Sequence, residues 1–382
     1  MDIIEQGYWV CTTHYTDIRE IEGVNFIVTM YTRMDVTLQG GGGLINMGLT
    51  CYGNAVMQNL RHLSKLVWIL EEGKYNTLFK KQAPKRRELY QNLTQAFAEV
   101  VQMLGKCKKG QSVRPGNFWK RIIPAVEDTL YEQFAMKMFH DSHEFYQLVL
   151  ETIHQSTIQD VDMKIIRPPP TTPQERLVHG ALEAWQKSFV KEYSPFVHMF
   201  YGLYHQRTVC QACNNMTHRW EPFNSLKAPT QAGAATCDLL KSLKDDMLSE
   251  ETIDEYVCEA CGPPRKPAKK SMSIWKLPSV LVLSLKRFGN DGNKIGVPVE
   301  PISSTVDFSS YFSEDSPERV AMNHYTLRGI VDHHGSSRGG HYTAQCRHLV
   351  SSNWYRYDDE HVGSMSGPEF GDSTYMVFFE KL

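Results

Sequence analysis

Cys51 lies where a glycine-bearing turn passes into a stretch with helical spacing of apolar residues. A thiol at the start of a helix is close to unpaired backbone N–H groups and to the positive end of the helix dipole, and both stabilise a thiolate. Attack on an amide carbonyl also needs donors for the developing oxyanion, for which the Cys51 N–H and the Asn46 side-chain amide are candidates. Two structural alternatives stand beside this hypothesis: most cysteines at helix starts are structural, and Asn46 could simply cap the turn.

His341 could serve such a cysteine as a general base, taking the thiol proton and later protonating the leaving amine. It follows Gly339 and Gly340, whose lack of side chains would let a substrate backbone approach closely. A carboxylate that accepts from the second ring nitrogen would hold the histidine in one tautomer. We predict that Asp358 has this role, with Asp359 in support, and that the two glycines bind substrate.

Two C-x-x-C pairs indicate a different chemistry, because four thiolates on two tight turns form the tetrahedral sulfur set that zinc prefers. The four residues are Cys210, Cys213, Cys258 and Cys261. A site with four protein ligands has no open position, so we predict a structural zinc. A redox pair is one alternative. A DNA-binding ribbon is another, because Lys266, Lys269 and Lys270 follow the second pair, but this short, proline-interrupted run favours a solvated loop.

The composition excludes several classes of protein. With 382 residues, of which 41% are hydrophobic, the chain can bury a sizeable core. Its formal net charge of -2 predicts no general attraction to nucleic acid or to an anionic membrane surface. Nine cysteines are too sparse for a disulfide scaffold and odd in number, which favours a reducing compartment. Because no stretch is apolar for long enough to cross a membrane, we expect a soluble intracellular protein of the cytoplasm and/or nucleus.

The spacing of apolar residues predicts a helical first half and a β-rich second half. Spacings of three and four predict helices over residues 54–70, 89–104 and 143–153. Apolar runs predict strands over residues 280–285, 324–331, 342–346 and 374–380. Residues 1–40 are a predicted N-terminal appendage with a strand-like stretch at 23–31, joined through the glycines at 40–43. Proline-rich segments at 167–173 and 262–267 predict exposed loops.

Several motifs resemble those of the ubiquitin-specific proteases. Leu44–Leu60 follows that family's cysteine box, Leu-x-Asn-x-Gly-x-Thr-Cys-Tyr-x-Asn-x-x-x-Gln-x-Leu. Asp141–Phe145 resembles the family's Gln-Gln-Asp-Ser-His-Glu-Phe box, although Phe139 and His140 stand where the two glutamines are expected. Further matches follow in the family's order at 200–202, 221–223, 277–288 and around His341. The resemblance extends over about residues 43–382.

The resemblance implies an α+β protein with a papain-like cysteine protease fold elaborated into thumb, palm and zinc-ribbon fingers. The catalytic domain would span 43–382, with the thumb at about 44–195, the fingers at about 200–275 and the palm at about 276–382. It would hydrolyse the isopeptide or peptide bond after the C-terminal Gly-Gly of ubiquitin through a thioester on Cys51. Asp141 and His143 would join the substrate-binding residues, with Asp141 facing the basic ubiquitin tail.

These expectations make ubiquitin and ubiquitinated proteins the partners of a monomeric catalytic domain, with no nucleic-acid or membrane partner. Two alternatives stay open. A catalytically inactive ubiquitin-binding scaffold would keep the fold but lack a member of the triad, and none is missing from this sequence. A protease for another ubiquitin-like modifier would differ in its finger and channel surfaces.

Overall fold

The computed structural model describes residues 41–382 except positions 72, 109, 160, 162, 166, 290, 291, 337 and 338. The predicted N-terminal appendage, including its strand-like stretch, lies outside the described residues. The described part is a mixed helix and sheet structure, with most helices before residue 200 and most strands after it. Within this part, no helix combines membrane-spanning length with sufficient hydrophobicity.

The helical half follows β1 (Gly43–Leu44), which forms a small parallel pair with β2 (Ser112–Val113), a short strand between two of the helices. Its helices are α1 (Cys51–Arg61), α2 (Ser64–Glu71), α3 (Lys85–Lys106), α4 (Gly116–Val126), α5 (Ser142–Ser156), α6 (Pro173–Phe189) and α7 (Pro195–Phe200). The helix predicted over 54–70 is thus divided in two. Glu380 accepts from the Ser64 hydroxyl at 2.6 Å and from the Lys65 N–H at 3.2 Å, so a distant side chain fixes where α2 begins.

Two of these helices begin at caps encoded in their own sequence. Asp141 precedes α5 and accepts through Oδ1 from the N–H groups of His143 and Glu144, at 2.8 and 3.0 Å. These contacts satisfy donors that a helix start otherwise leaves free. At the start of α6, Thr172 and Glu175 form a reciprocal capping box directly after the proline-rich loop.

A four-stranded antiparallel sheet has the order β4 (Met216–Phe223), β3 (Gly202–Cys210), β7 (Lys266–Lys276) and β6 (Glu251–Tyr256). Between β4 and β6 the chain leaves this sheet to form strand β5 (Leu226–Pro229) and helix α8 (Leu239–Leu248). Leu226, Leu239 and Leu243 are buried in the core of the larger sheet. Residues 226–248, inside the range predicted as fingers, therefore join the larger sheet through β5 and its core, although α8 also contacts β7 of the smaller sheet.

The larger sheet adds the strands β8 (Val280–Lys286), β9 (Thr305–Asp307), β10 (His324–Ser336), β11 (Gly339–Arg347), β12 (Trp354–Asp358), β13 (His361–Met365) and β14 (Thr374–Lys381). Its order is β13-β12-β11-β10-β14-β8-β5, with β9 paired to β10. The pairing is antiparallel except between β5 and β8. All four predicted strands are present in this sheet.

Both faces of the larger sheet are buried at β8, which explains the uninterrupted apolar run of that strand. Val280 packs with the helices, whereas its neighbour Leu281 packs in a second core on the opposite face. Helix α1 lies against β11, and all of its residues are buried. On the neighbouring strand β10, Gly329 permits α1 to approach closely, because a side-chain carbon there would lie 2.0 Å from Asn59 Oδ1 on α1.

Candidate active site and metal centre

Cys51 is the first residue of α1 and is reached through a tight turn over residues 46–50. The backbone at Gly48 and Leu49 has positive φ values of 98° and 59°. Asn46 Oδ1 holds the turn by accepting from the N–H groups of Gly48 and Thr50, at 2.9 and 3.1 Å. A leucine with positive φ is strained, and the hydrogen bonds to Asn46 stabilise the turn in this conformation. The turn sets the position of the thiol.

Burial raises the pKa of the Cys51 thiol, and the nearby Asp359 charge raises it further. The backbone N–H groups of Tyr342, Tyr52 and Cys51 act in the opposite direction. The predicted donors at the helix start are therefore present. Their lowering effect on the pKa is smaller than the raising effect of burial, because Cys51 is only 2% exposed. A raised pKa favours the neutral thiol, so a reaction through the thiolate would need a base to remove its proton.

His341 Nε2 lies 2.6 Å from Asp358 Oδ1, which is the contact predicted for an orienting carboxylate. The two residues come from neighbouring strands, β11 and the end of β12, so the sheet fixes their separation. The side chains are 42% and 53% exposed, and the pair is accessible to an incoming substrate. With Nε2 bound to the carboxylate, Nδ1 is the nitrogen left to take a thiol proton.

The packing of α1 on β11 brings the Cys51 sulfur to the N–H of Tyr342, the residue that follows His341. Across the described ranges, no hydrogen bond joins the Cys51 sulfur to the His341 ring itself. The three predicted triad residues thus lie in one region, with the histidine–carboxylate pair formed and the thiol bonded to backbone. Their catalytic roles stay predictions.

Asp359 has different partners from Asp358. Its Oδ2 accepts from Asn46 Nδ2 at 2.8 Å, and its Oδ1 accepts from Asn54 Nδ2 at 2.7 Å. Its backbone carbonyl also accepts from the Leu44 N–H at 2.8 Å, and its φ is 50°. One residue therefore ties β1, the turn and α1 to the end of β12.

Asn46 combines two roles that the sequence analysis set against each other. Its side-chain oxygen caps the turn, while its nitrogen donates one hydrogen to Asp359. An amide nitrogen carries two hydrogens, so one stays available for a substrate oxygen. Turn capping is observed, and oxyanion donation stays a prediction that this orientation allows.

The glycines before His341 lie in the hairpin of β10 and β11, where Gly340 pairs with Gly335 and Gly339 with Ser336. A side-chain carbon at Gly340 would lie 2.4 Å from His333 Nε2, so packing alone requires glycine there. The space beside Gly339 is bounded by Phe139, whose ring would contact a Cβ at 3.8 Å. Substrate binding by either glycine stays a prediction.

Asp141 and His143, both predicted to bind substrate, have partners inside the fold. The second carboxylate oxygen of Asp141 accepts from the Tyr375 hydroxyl, so both oxygens are engaged. His143 Nε2 lies 3.0 Å from Ser225 Oγ, and burial lowers its pKa. These contacts join α5 to β14 and to the start of β5. A direct contact of either residue with substrate stays a prediction.

The four cysteines of the C-x-x-C pairs meet at one end of the smaller sheet, with all four sulfur atoms within 4.8 Å of one another. Two of the separations are 3.9 Å (Cys210 to Cys261) and 3.6 Å (Cys213 to Cys258). Tetrahedral zinc with bonds of about 2.3 Å needs sulfur atoms about 3.8 Å apart. The donor set therefore fits zinc.

The two cysteine pairs lie on equivalent turns. The Asn214 N–H donates to the Cys210 carbonyl and the Gly262 N–H donates to the Cys258 carbonyl, each at 2.9 Å. Asn214 and Gly262 both have positive φ, 56° and 65°, directly after the second cysteine of each pair. Matching turns with matching sulfur positions favour a closed metal site over an unrelated redox pair.

One residue at the site was not singled out from the sequence. Asn54 lies three residues after Cys51, on the same face of α1, and its amide holds Asp359. Its position in the cysteine box indicates that Asn54 has a role at the site. Local spacing could not predict that its partner is Asp359.

Three comparisons describe what this chain is similar to. The family model "Ubiquitin carboxyl-terminal hydrolase" matches residues 42–379. Ubiquitin carboxyl-terminal hydrolase 2 of Bos taurus is 27% identical over 356 residues, which cover 90% of this chain and 55% of that protein. Ubiquitin carboxyl-terminal hydrolase 5 of Saccharomyces cerevisiae is 26% identical over 371 residues, which cover 89% and 44%. The chain spans about half the length of these curated relatives.

Solved structures show the same fold. The SAGA DUB module of Ubp8, Sgf11, Sus1 and Sgf73 bound to monoubiquitin contains a chain that matches with a TM-score of 0.68 at 23% identity, covering 94% of this chain and 73% of that one. The same module bound to ubiquitin aldehyde matches with a TM-score of 0.66, again at 23% identity and 94% of this chain, with 74% of that one. Because the family model covers nearly all of the described residues, this chain belongs to the ubiquitin carboxyl-terminal hydrolase family.

Proposed function

We propose that this protein is a deubiquitinating thiol protease that hydrolyses the isopeptide or peptide bond after the C-terminal Gly-Gly of ubiquitin. The observation that carries the proposal is the arrangement of Cys51, at the start of a helix, beside the strand that bears His341, whose ring is paired with Asp358 on the next strand. Family membership supports the same reaction. A solved structure with this fold is described as bound to ubiquitin aldehyde, which supports ubiquitin as the partner.

In the proposed reaction, His341 takes the Cys51 proton at Nδ1 while Asp358 stabilises the imidazolium through Nε2. The thiolate attacks the terminal glycine carbonyl, and the oxyanion accepts from the Asn46 amide and the Cys51 N–H. The C–N bond then breaks as His341 returns the proton to the leaving amine, which leaves a thioester on Cys51. Water, deprotonated by His341, attacks the thioester and releases the ubiquitin carboxylate and the thiol.

The proposed architecture assigns residues 43–382 to one catalytic domain with thumb, fingers and palm. The smaller sheet supplies the fingers, except that residues 226–248 belong with the palm. Zinc held by the four cysteines would tie the two turns together and contribute folding free energy without taking part in the reaction. The monomeric state, the intracellular location and the absence of nucleic-acid or membrane partners stay predictions.

The decisive experiment offers the protein ubiquitin with a C-terminal fluorogenic amide, together with the same amide on other ubiquitin-like modifiers. Release of the fluorophore from ubiquitin supports the proposal. Cys51→Ala should abolish it while leaving ubiquitin binding intact, because the change removes the nucleophile and little contact area. Cys237→Ala is the matched control, since Cys237 is also buried but belongs to no motif. Turnover retained by Cys51→Ala would contradict the assignment.

One observation favours the inactive scaffold as a second candidate. The raised pKa of Cys51 and its bond to the Tyr342 N–H describe a thiol that is not yet paired with its base. Ubiquitin binding without turnover in the wild-type protein would support the scaffold. Faster release from another modifier would instead reassign the substrate.

A further inference from the structure

Asn54 is a buried amide whose orientation is unambiguous. It is 2% exposed, and its nitrogen donates to Asp359 Oδ1 at 2.7 Å and to the Leu44 carbonyl at 3.3 Å. Both partners can only accept hydrogens, so the nitrogen must face them. Its oxygen is buried and has no hydrogen-bond partner within the described structure. The amide nitrogen therefore makes both of the hydrogen bonds that the Asn54 side chain forms with the described residues.

We infer that Asn54 is a positioning residue that holds the Asp359 carboxylate and, through it, the oxyanion-donating amide of Asn46. The inference rests on the proposed function. The chain of contacts is continuous, from Asn54 Nδ2 to Asp359 Oδ1 at 2.7 Å and from Asp359 Oδ2 to Asn46 Nδ2 at 2.8 Å.

The need for such an anchor follows from the position of Asp359. It stands outside the regular strand with a positive φ of 50°, and its side chain is only half-buried. A carboxylate held by one amide could rotate about its side-chain bonds, whereas amides on both oxygens fix its plane. Because the Asn46 oxygen is tied to the turn and one nitrogen hydrogen is tied to Asp359, the second hydrogen then points in one direction. Preorganised donors of this kind gain most in the transition state.

The test replaces Asn54 by leucine, which removes the donor with little change of volume. Asn59→Leu is the matched control on the same helix. Asn59 is 1% exposed, donates to the carbonyls of Ala55 and Ile330 at 3.0 and 3.1 Å, and also has a buried oxygen without a partner in the described structure. Neither of its bonds involves Asp359, so it reports the cost of losing a buried amide alone.

For Asn54→Leu we expect kcat on the ubiquitin amide to fall about tenfold to a hundredfold, with KM within about twofold. Alkylation of Cys51 by a small haloacetamide needs the thiolate but no oxyanion donor, so its rate should stay within about threefold of wild type. Asn59→Leu should change the melting temperature by a similar amount or more, with kcat within about threefold. If Asn54 had only a structural role, Asn54→Leu would slow hydrolysis and alkylation to a similar extent.

A double-mutant cycle makes the path explicit. In an Asn46→Ala background, Asn54→Leu should cause no further loss of kcat, because the group it positions is gone. Losses that multiply, an unchanged kcat in the single variant, or hydrolysis and alkylation that fall together would each overturn the inference. If Asn54→Leu does not fold, Asn54→Ser is judged by the same criteria. A wild-type protein that leaves the ubiquitin amide intact contradicts the proposed function, whereas normal turnover in both the Asn54→Leu variant and the wild type contradicts only this inference.

Discussion

Replacing Asn46 by alanine should affect stability and catalysis by separate amounts that follow from its contacts. Loss of the side-chain oxygen leaves the N–H groups of Gly48 and Thr50 without their acceptor. Gly48 is exposed, so water replaces that bond, whereas Thr50 is only 7% exposed. An unmade bond at Thr50 costs about 1–2 kcal/mol, which lowers the melting temperature by about 2–5 °C.

The catalytic effect of the same change should be larger. Removal of one oxyanion donor slows the chemical step on the order of a hundredfold to a thousandfold, which corresponds to about 3–4 kcal/mol. KM should hardly change, because the bond strengthens only as the substrate oxygen becomes negative. Hydrolysis of the ubiquitin amide and thermal unfolding of the same preparation measure both effects.

Asn46→Asp provides the companion variant. It keeps an oxygen for the turn but has no amide hydrogen, and it sets a second carboxylate where the amide now lies 2.8 Å from Asp359. Its kcat should fall at least as far as that of Asn46→Ala. A destabilised Asn46→Ala enzyme with normal kcat would refute the reasoning and reduce Asn46 to a turn residue.

Three further predictions concern the base, the thiol and the metal site. His341→Ala should abolish hydrolysis almost completely, while Asp358→Asn should do less harm because an amide oxygen can still accept from the ring; equal losses would contradict an orienting role. Asp359→Asn removes a charge that raises the Cys51 pKa, so more thiolate should be present at pH 8 and alkylation should accelerate, although hydrolysis slows. This difference in alkylation should vanish at a pH above both thiol pKa values, and a slower reaction of Asp359→Asn at pH 8 would contradict it. The purified protein should contain one zinc, and Cys213→Ser should lose it and melt at lower temperature; a zinc-free wild type with the same melting curve as the variant would exclude a structural metal.

Local patterns predicted the elements that carry the chemistry. Helical spacing after Cys51 and the apolar runs of β8, β10, β11 and β14 are short-range properties, and each element is present. Asp141 also carried a local signal for a helix start, in addition to its predicted role in substrate binding. An aspartate followed three residues later by Glu144 is a typical helix start, and its Oδ1 is engaged as a cap.

Long-range contacts account for what local patterns could not predict. The division between α1 and α2 depends on Glu380, and the departure of residues 226–248 from the smaller sheet depends on a parallel partner, β8. The role of Asn54 depends on Asp359, which lies 305 positions along the chain. A partner so far along the chain cannot be predicted from the periodicity of a short segment. The pKa of Cys51 likewise depends on the residues that bury it, which local sequence does not identify.

The ties that Asp359 makes to Asn46 and Leu44 also govern when the site can exist during synthesis. Asn46 and Asp359 are 313 positions apart, so the turn before the cysteine leaves the ribosome long before its anchor is made. At about 5–20 residues per second, the interval is roughly 16–60 s. For almost all of that time Cys51 lacks its proposed base, His341, and throughout it lacks the carboxylate that holds the Asn46 amide. If the proposed function is correct, a nascent chain is therefore unable to act on ubiquitin until the strands that carry these residues have been translated and paired.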